Sequence, residues 1–182
     1  MKPFTLRILS GVPLAVMAVA LLVLGVQRVS PPGAAAPAFD FGQTLIAEGR
    51  TADAVTWYRG LARDDAPDAL RALAAAADMD GDLQTRTEAL YRLVRAGYAT
   101  YDEHIDTAQL LAASGALPRA LTVLYNAERR FPAALDDRFL AFYAALARDA
   151  ARRDIALPLA RRMWTRTNSE RVLKILVGLS NA

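Results

Sequence analysis

Apolar side chains recur every three or four residues along most of this chain, in stretches separated by glycine, proline or short polar segments. The clearest stretch places four apolar residues on one helical face: Ile105, Ala108, Leu111 and Ala112. Thr100 and Glu103 have the spacing of a capping box, which predicts that this helix begins at Tyr101. A second apolar helix is predicted to begin near Pro118 and to end before Pro132.

Residues suited to turns follow a longer period. Gly49, Gly81 and Gly115 are 32 and 34 residues apart, and Ala151 stands in the equivalent place 36 residues later. A period near 34 residues is typical of helix–turn–helix repeats. Sparse glycine and proline, with abundant alanine, leucine and arginine, also favour helices. We therefore predict an all-α fold of about four helix pairs.

The third unit resembles a tetratricopeptide repeat. That pattern has a small residue seven before the turn glycine, alanine five after it and proline seventeen after it, where Ala108, Ala120 and Pro132 stand around Gly115. Other units match in part: Gly42, Gly49 and Ala54; Leu70, Leu73, Ala74, Ala77 and Gly81; Tyr143, Ala144, Ala151 and Ala156. The resemblance covers about residues 35–165 and implies a right-handed α-solenoid. Pro158 falls inside the last unit's second helix.

The C-terminal segment predicts one further helix. Thr167 and Glu170 have capping-box spacing, and the helix is expected to reach about Leu179. Its apolar residues cover a broad face: Val172, Leu173, Ile175, Leu176 and Leu179. A helix that caps the open end of the stacked repeats is the simplest interpretation. Alternatively, this face docks a partner, or a longer relative continues into another repeat.

The N-terminal segment predicts a membrane anchor. Residues 8–26 carry no charge, and nineteen helical residues are long enough to cross the hydrocarbon core of a bilayer. Lys2 and Arg7 precede this segment and only Arg28 follows it, which favours a cytoplasmic N-terminus. A cleaved signal peptide is the alternative, with a small-residue site at Ala36–Ala38, but the apolar run exceeds the usual signal core.

These features divide the chain into three parts. Residues 1–29 are predicted to be a transmembrane anchor, residues 30–38 a proline- and alanine-rich linker, and residues 39–182 the repeat domain. The expected location is the inner membrane, with a single pass, a cytoplasmic N-terminus and a periplasmic repeat domain.

Charge is divided between the two halves of the repeat domain. Residues 39–128 carry 14 acidic and 8 basic side chains, and residues 129–182 carry 5 acidic and 11 basic ones. The resulting charges of −6 and +6 would orient an acidic partner toward the C-terminal half. Alternatively, these charged side chains only form the solvated faces of helices. The domain as a whole has no net positive charge, which argues against nucleic acid as a partner.

The side chains needed for catalysis or metal binding are scarce. The chain has no cysteine and only one histidine, His104, so disulfides and multi-histidine zinc sites are excluded. His104 and Ser114 are ten residues apart on one helix, too far to form a nucleophile–base pair. We predict no catalytic residue, no cofactor and no metal, and we expect His104 at the surface or its boundary.

Three aspartates around Gly81 resemble a calcium loop at first sight. Such a loop needs glycine at its sixth position and glutamate at its twelfth. Counted from Asp78, those positions hold Leu83 and Ala89, so the segment predicts a turn. The turn is expected to be about two residues longer than in the family, because Arg86 replaces the alanine five after Gly81.

Beyond this turn, Thr85 and Glu88 have the spacing of a capping box. They are expected to start the next helix.

The resemblance also implies where a partner binds. In this family the first helices of successive units line a groove. Transferred by register, the groove positions are Phe39, Gln43, Ile46, Arg71, Asp78, Asp102, Ile105, Gln109, Arg138 and Arg148, with Ala75 and Ala145 among them. Such a lining suits an extended or helical peptide with an apolar face and acidic residues. Alternatively, these residues face water or neighbouring helices.

The resulting functional hypothesis is a noncatalytic adaptor that holds a protein partner in the envelope, close to the membrane that its N-terminal helix spans. The layout resembles repeat proteins that assist translocon or assembly machines, and the periplasmic scaffolds of exopolysaccharide secretion of the Pel or cellulose type. The alternative is a chaperone-like binder of exported polypeptides or of an anionic polysaccharide.

Overall fold

The computed structural model describes residues 36–181, and side-chain environments from residue 38 onward. This part of the chain contains helices and no strand: α1 (Ala36–Ala47), α2 (Thr51–Leu61), a 3-10 turn (Ala62–Asp64), α3 (Pro67–Asp80), α4 (Leu83–Ala96), α5 (Tyr101–Ala113), α6 (Leu117–Arg130), α7 (Asp137–Asp149), α8 (Arg153–Thr167) and α9 (Glu170–Ser180). The predicted all-helical fold is confirmed for this part of the chain.

The predicted membrane anchor, residues 1–29, lies outside the described residues. Within 36–181, no helix combines the length and the apolarity needed to cross a membrane. The last three residues of the predicted linker, Ala36–Ala38, already belong to α1.

The helices stack in chain order. From α2 onward each helix contacts the next, and α9 packs on both α8 and α7. Four helix pairs therefore follow one another, namely α1–α2, α3–α4, α5–α6 and α7–α8, and α9 covers the end of the last pair. Val172 and Leu179 of α9 are buried, whereas Leu173 and Val177 remain exposed. The right-handed sense of the predicted solenoid stays a prediction.

One turn geometry joins the two helices of every pair. Gly49, Gly81 and Gly115 have φ angles of 75°, 78° and 78°, and Ala151 has a φ of 54°. In each turn the backbone N–H of this residue and that of the next one bond to carbonyls three and five residues back, as in a Schellman motif. The following helix always begins two residues after the left-handed residue.

The expectation of a longer turn after Gly81 is therefore wrong. Arg86 does occupy the alanine position, but its side chain is only 22% exposed, and its guanidinium lies 2.6 Å from both Asp78 and Asp106. A long aliphatic stem can follow the helix surface while its charged head reaches outward. The helices thus accommodate arginine without an inserted residue.

Two of the three predicted capping boxes are not formed. At Thr100 the box is present, since its hydroxyl accepts from the Glu103 N–H at 3.2 Å and Glu103 accepts from the Thr100 N–H at 2.7 Å. The Thr85–Glu88 box is wrong, because α4 already begins at Leu83 and Asp82 caps it by accepting from the Thr85 N–H at 3.0 Å.

The predicted box at the start of α9 is also wrong. Thr167 is the last residue of α8, and its hydroxyl donates to the Met163 carbonyl at 2.9 Å. Ser169 precedes Glu170 as the N-cap residue, and its hydroxyl donates to Asp137 at 2.9 Å. A tertiary hydrogen bond therefore replaces the local cap.

Small side chains occupy the places where the helices meet. Ten alanines of the described part of the chain have no exposed surface: Ala54, Ala62, Ala76, Ala77, Ala108, Ala120, Ala127, Ala147, Ala156 and Ala160. Gly42 serves the same purpose in α1, because a Cβ at this position would lie 2.3 Å from the Tyr58 ring. These positions let helix backbones approach closely, so larger side chains on either side interdigitate.

Polar side chains link each helix pair to the next. Ion pairs and hydrogen bonds join residues 20–34 apart: Thr51–Asp80, Arg92–Asp65, Arg71–Glu103, Arg86–Asp106, Arg162–Glu128 and Ser169–Asp137. Many charged residues of the domain therefore hold the repeats together.

His104 is buried, with 1% of its surface exposed, so its predicted place at the surface or boundary is wrong. Its Nδ1–H donates to the Thr100 carbonyl at 2.7 Å, and its ring meets Phe131 edge-on at 5.4 Å. Burial lowers the pKa of His104 and outweighs the hydrogen bond to Thr100. The imidazole is therefore a neutral part of the core.

We expect Ala151→Gly to stabilise the domain by about 0.5–1 kcal/mol. Glycine relieves the strain of a side chain at positive φ. The free energy gained in this way exceeds the cost that arises because glycine gives the unfolded chain more conformational entropy. Urea unfolding measures the change, with Gly115→Ala as the matched control. The control should lose about 1 kcal/mol from backbone strain alone, because no atom lies within 4 Å of an added Cβ at Gly115. Equal stability of Ala151→Gly and the native chain would contradict the strain.

We also expect stability to fall as the pH drops below about 6.5. The folded state binds a proton at His104 less readily than the unfolded chain, whose histidine has the ordinary value of 6.5. Unfolding is therefore increasingly favoured on acidification. Glu103 titrates only below its ordinary 4.5, outside this window. Denaturation at pH 7 and pH 5.5 should show a clearly smaller loss for His104→Asn than for the native chain, and equal losses would contradict this account.

Candidate functional site

A cavity of about 500 Å³ lies between α5 and α7, the first helices of the third and fourth pairs. Four of the ten predicted groove residues meet there: Asp102, Ile105, Gln109 and Arg138. Asp102, Ile105 and Gln109 share one face of α5 because they are three and four residues apart. The register of the repeats therefore brings these four predicted residues to the lining of one cavity.

The floor of this cavity is apolar. Phe139 is buried and packs against Tyr101, with ring centroids 6.2 Å apart, while Ile105 and Phe142 are half-buried. The register argument missed Phe139 and Phe142. Phe142 follows Arg138 by four residues, so the helical period alone would place both on one face of α7.

Three polar side chains at the rim of the cavity are not bonded to any other side chain or backbone group of residues 36–181. Asp102, Gln109 and Arg138 are exposed, and their side chains form no hydrogen bond or ion pair with the described residues. An apolar floor beneath free donors and acceptors is the usual composition of a ligand site.

The other acids around the cavity are already engaged. Asp106 pairs with Arg86, and Asp136 caps α7 by accepting from the Phe139 N–H at 2.7 Å. Glu103 accepts from Arg71 at 2.8 Å. Although burial alone would raise it, the pKa of Glu103 is lowered by the hydrogen bonds from Arg71 and from Thr100.

Three more predicted groove residues serve the fold instead. Arg71 donates to Glu103 and, at 2.9 Å, to the Tyr98 carbonyl. Asp78 accepts from Arg86, and Gln43 donates to the Tyr58 hydroxyl at 3.1 Å. A partner would have to break these bonds to use the same side chains.

The last predicted positions lie away from the cavity lining. Phe39 and Ile46 are half-buried against the core, Ala75 is exposed and Ala145 is half-buried. Arg148 lies 3.7 Å from its neighbour Asp149, and both are well exposed. These residues do not line the α5/α7 cavity, and they can at most extend the binding surface around it.

No catalytic or metal-binding constellation surrounds this cavity. Ser114 donates its hydroxyl to the Leu111 carbonyl at 2.9 Å, and buried His104 bonds to Thr100. Among the described residues, no three histidine, cysteine, aspartate or glutamate side chains gather closely enough to hold a metal ion.

No protein-family model matches the chain, and no curated protein matches its sequence. Solved structures similar to it include the Podosopora anserina putative kinesin light chain with nearly identical TPR-like repeats. That match has 15% identity, a TM-score of 0.47, and covers 81% of this chain and 85% of the other. The MamA RS-1 ArsTM double mutant is similar at 15% identity and a TM-score of 0.49, covering 82% of this chain and 96% of that one.

Proposed function

We propose that this protein is a noncatalytic scaffold that binds a segment of a partner polypeptide in the α5/α7 cavity. The observation that carries the proposal is an apolar floor, Ile105 and Phe142, beneath three rim side chains that form no hydrogen bond or ion pair with the described residues: Asp102, Gln109 and Arg138. An apolar side chain of the partner would rest on the floor. Asp102 and Gln109 would bind its backbone, and Arg138 would favour an acidic residue beside the anchor.

The expected affinity of one such cavity is modest. Burying one leucine-sized side chain contributes roughly 1.5–3 kcal/mol, and each hydrogen bond adds about 0.5–1.5 kcal/mol. Together they fall short of the roughly 8 kcal/mol of a micromolar complex once the cost of association is included. Such a site gains from being held near its partner, since tethering raises the effective concentration.

For that reason we propose that residues 1–29 anchor the repeat domain to the inner membrane, with the domain in the periplasm. The support is the uncharged segment 8–26 and its basic N-terminal flank. Envelope assembly, or exopolysaccharide secretion, is the setting in which we propose the scaffold works.

The proposed topology can be tested because the chain has no cysteine of its own. In intact spheroplasts, a membrane-impermeant maleimide should label Glu48→Cys but should label Thr5→Cys only after lysis. A mature chain whose mass begins near residue 39 would show cleavage of a signal peptide and contradict the anchor.

The proposed site predicts a position-specific crosslink. A photoreactive side chain at Gln109 should capture a polypeptide in intact cells, whereas the same group at exposed Arg161 of α8 should not. Phe142→Ala removes part of the floor and should reduce the yield at Gln109 about tenfold.

Paired charge reversals control for surface charge. Arg138→Glu should reduce the crosslink, while Arg161→Glu should not, although both change an exposed arginine that makes no ion pair with the described residues. Circular dichroism must show unchanged unfolding midpoints. Capture of a glycan at Gln109, or equal capture at both positions, would contradict polypeptide binding in this cavity.

A further inference from the structure

Two equivalent furrows lie between the second helices of successive pairs. The α4/α6 furrow has a volume of about 720 Å³ and includes Tyr91, and the α6/α8 furrow has about 680 Å³ and includes Tyr125. Tyr91 and Tyr125 are 34 residues apart, one repeat. The same fold therefore builds the two furrows, and their linings can be compared position by position.

The linings differ in polarity. At two matching positions the α4/α6 furrow has Thr87 and Arg119, and the α6/α8 furrow has Leu121 and Ile155. Tyr125 at the mouth of the α6/α8 furrow is 45% exposed. The lining of the α6/α8 furrow is thus the less polar of the two.

The α6/α8 furrow also contains an unsatisfied buried hydroxyl. Tyr143 lines it, is fully buried, and its hydroxyl has no hydrogen-bond partner among the described residues. At the matching position one repeat earlier, Thr107 donates its hydroxyl to the Glu103 carbonyl at 2.6 Å. Leaving a buried hydroxyl unpaired destabilises the protein, and phenylalanine would fill the same space without this cost.

The surrounding charges limit what this hydroxyl can bind. Burial raises the pKa of Tyr143 well above its ordinary value, and the nearby carboxylates of Glu128 and Asp154 act in the same direction. The hydroxyl therefore remains a protonated donor. A ligand must supply an acceptor. Arg152, the cation that lines this furrow, is already paired with Asp154. No unpaired positive charge in the lining therefore offsets the cost of burying an anion there.

We propose that the α6/α8 furrow is a second binding site, for an uncharged aliphatic segment of polypeptide whose amide carbonyl accepts the hydrogen bond of Tyr143. The aliphatic side chain of that segment packs on Leu121, Tyr125 and Ile155. No residue lines both this furrow and the α5/α7 cavity. A test of this second site is therefore independent of the test of the proposed function.

Amide chemical shifts of the full chain, titrated with N-acetyl-leucinamide, test this site. Saturable shifts are expected at Thr122, Tyr125 and Ile155. Tyr143→Phe should weaken binding roughly three- to tenfold. Tyr91→Phe, which removes a tyrosine hydroxyl from the other furrow, should leave it unchanged. N-acetyl-leucine, whose carboxylate is charged, should bind more weakly than the amide.

The stability of the free variant gives an independent readout. Because Tyr143→Phe removes an unpaired hydroxyl, its unfolding midpoint should equal or exceed that of the native chain. A lower midpoint with unchanged affinity would show that the hydroxyl is satisfied within the fold and would overturn the proposal. So would shifts that do not saturate, or equal weakening by Tyr91→Phe.

Discussion

The close approach of helix backbones at small residues is the constraint on which the rest of this structure depends. Fully buried alanines such as Ala108 and Ala120 hold two helices of a pair together, and Gly42 meets the Tyr58 ring where no Cβ would fit. A pair packed in this way still has an apolar side that only another pair can cover. Stacking in chain order, with α9 over the last pair, follows from that requirement.

Stacking also decides which polar side chains remain for a partner. Many charged groups lie where successive pairs meet, and there they bond to each other, as Arg71 does with Glu103 and Arg86 with Asp106. Asp102 and Gln109 of α5 and Arg138 of α7 have no such counterpart among the described residues. The fold therefore separates structural charges from those that can recognise a ligand, and the second group lies above an apolar floor.

The sequence predicts features set by local spacing and less well those set by contacts between repeats. The helix pairs, the turns at Gly49, Gly81 and Gly115, and the Thr100–Glu103 cap follow from period and short-range chemistry. Arg86 at an alanine position, and the use of Ser169 at the start of α9, depend on partners about 20 and 32 residues away.

The same limit applies to individual site residues. His104 is spaced four and seven residues before Ala108 and Leu111, so the stripe that predicted the helix also contained the signal for its burial. For the groove, the repeat register correctly grouped four residues that line one cavity: Asp102, Ile105, Gln109 and Arg138. It could not show that Arg71 bonds to Glu103 and that Asp78 bonds to Arg86.

Hydroxyl-radical footprinting of the chain with and without its captured partner tests the central claim most directly. Polypeptide binding between α5 and α7 predicts that modification falls at Phe142 and Tyr101 and stays constant at exposed Met79 and Tyr98. Unchanged reactivity in the cavity, with protection of Leu173 and Val177 on α9, would contradict the account and make the terminal helix the docking face.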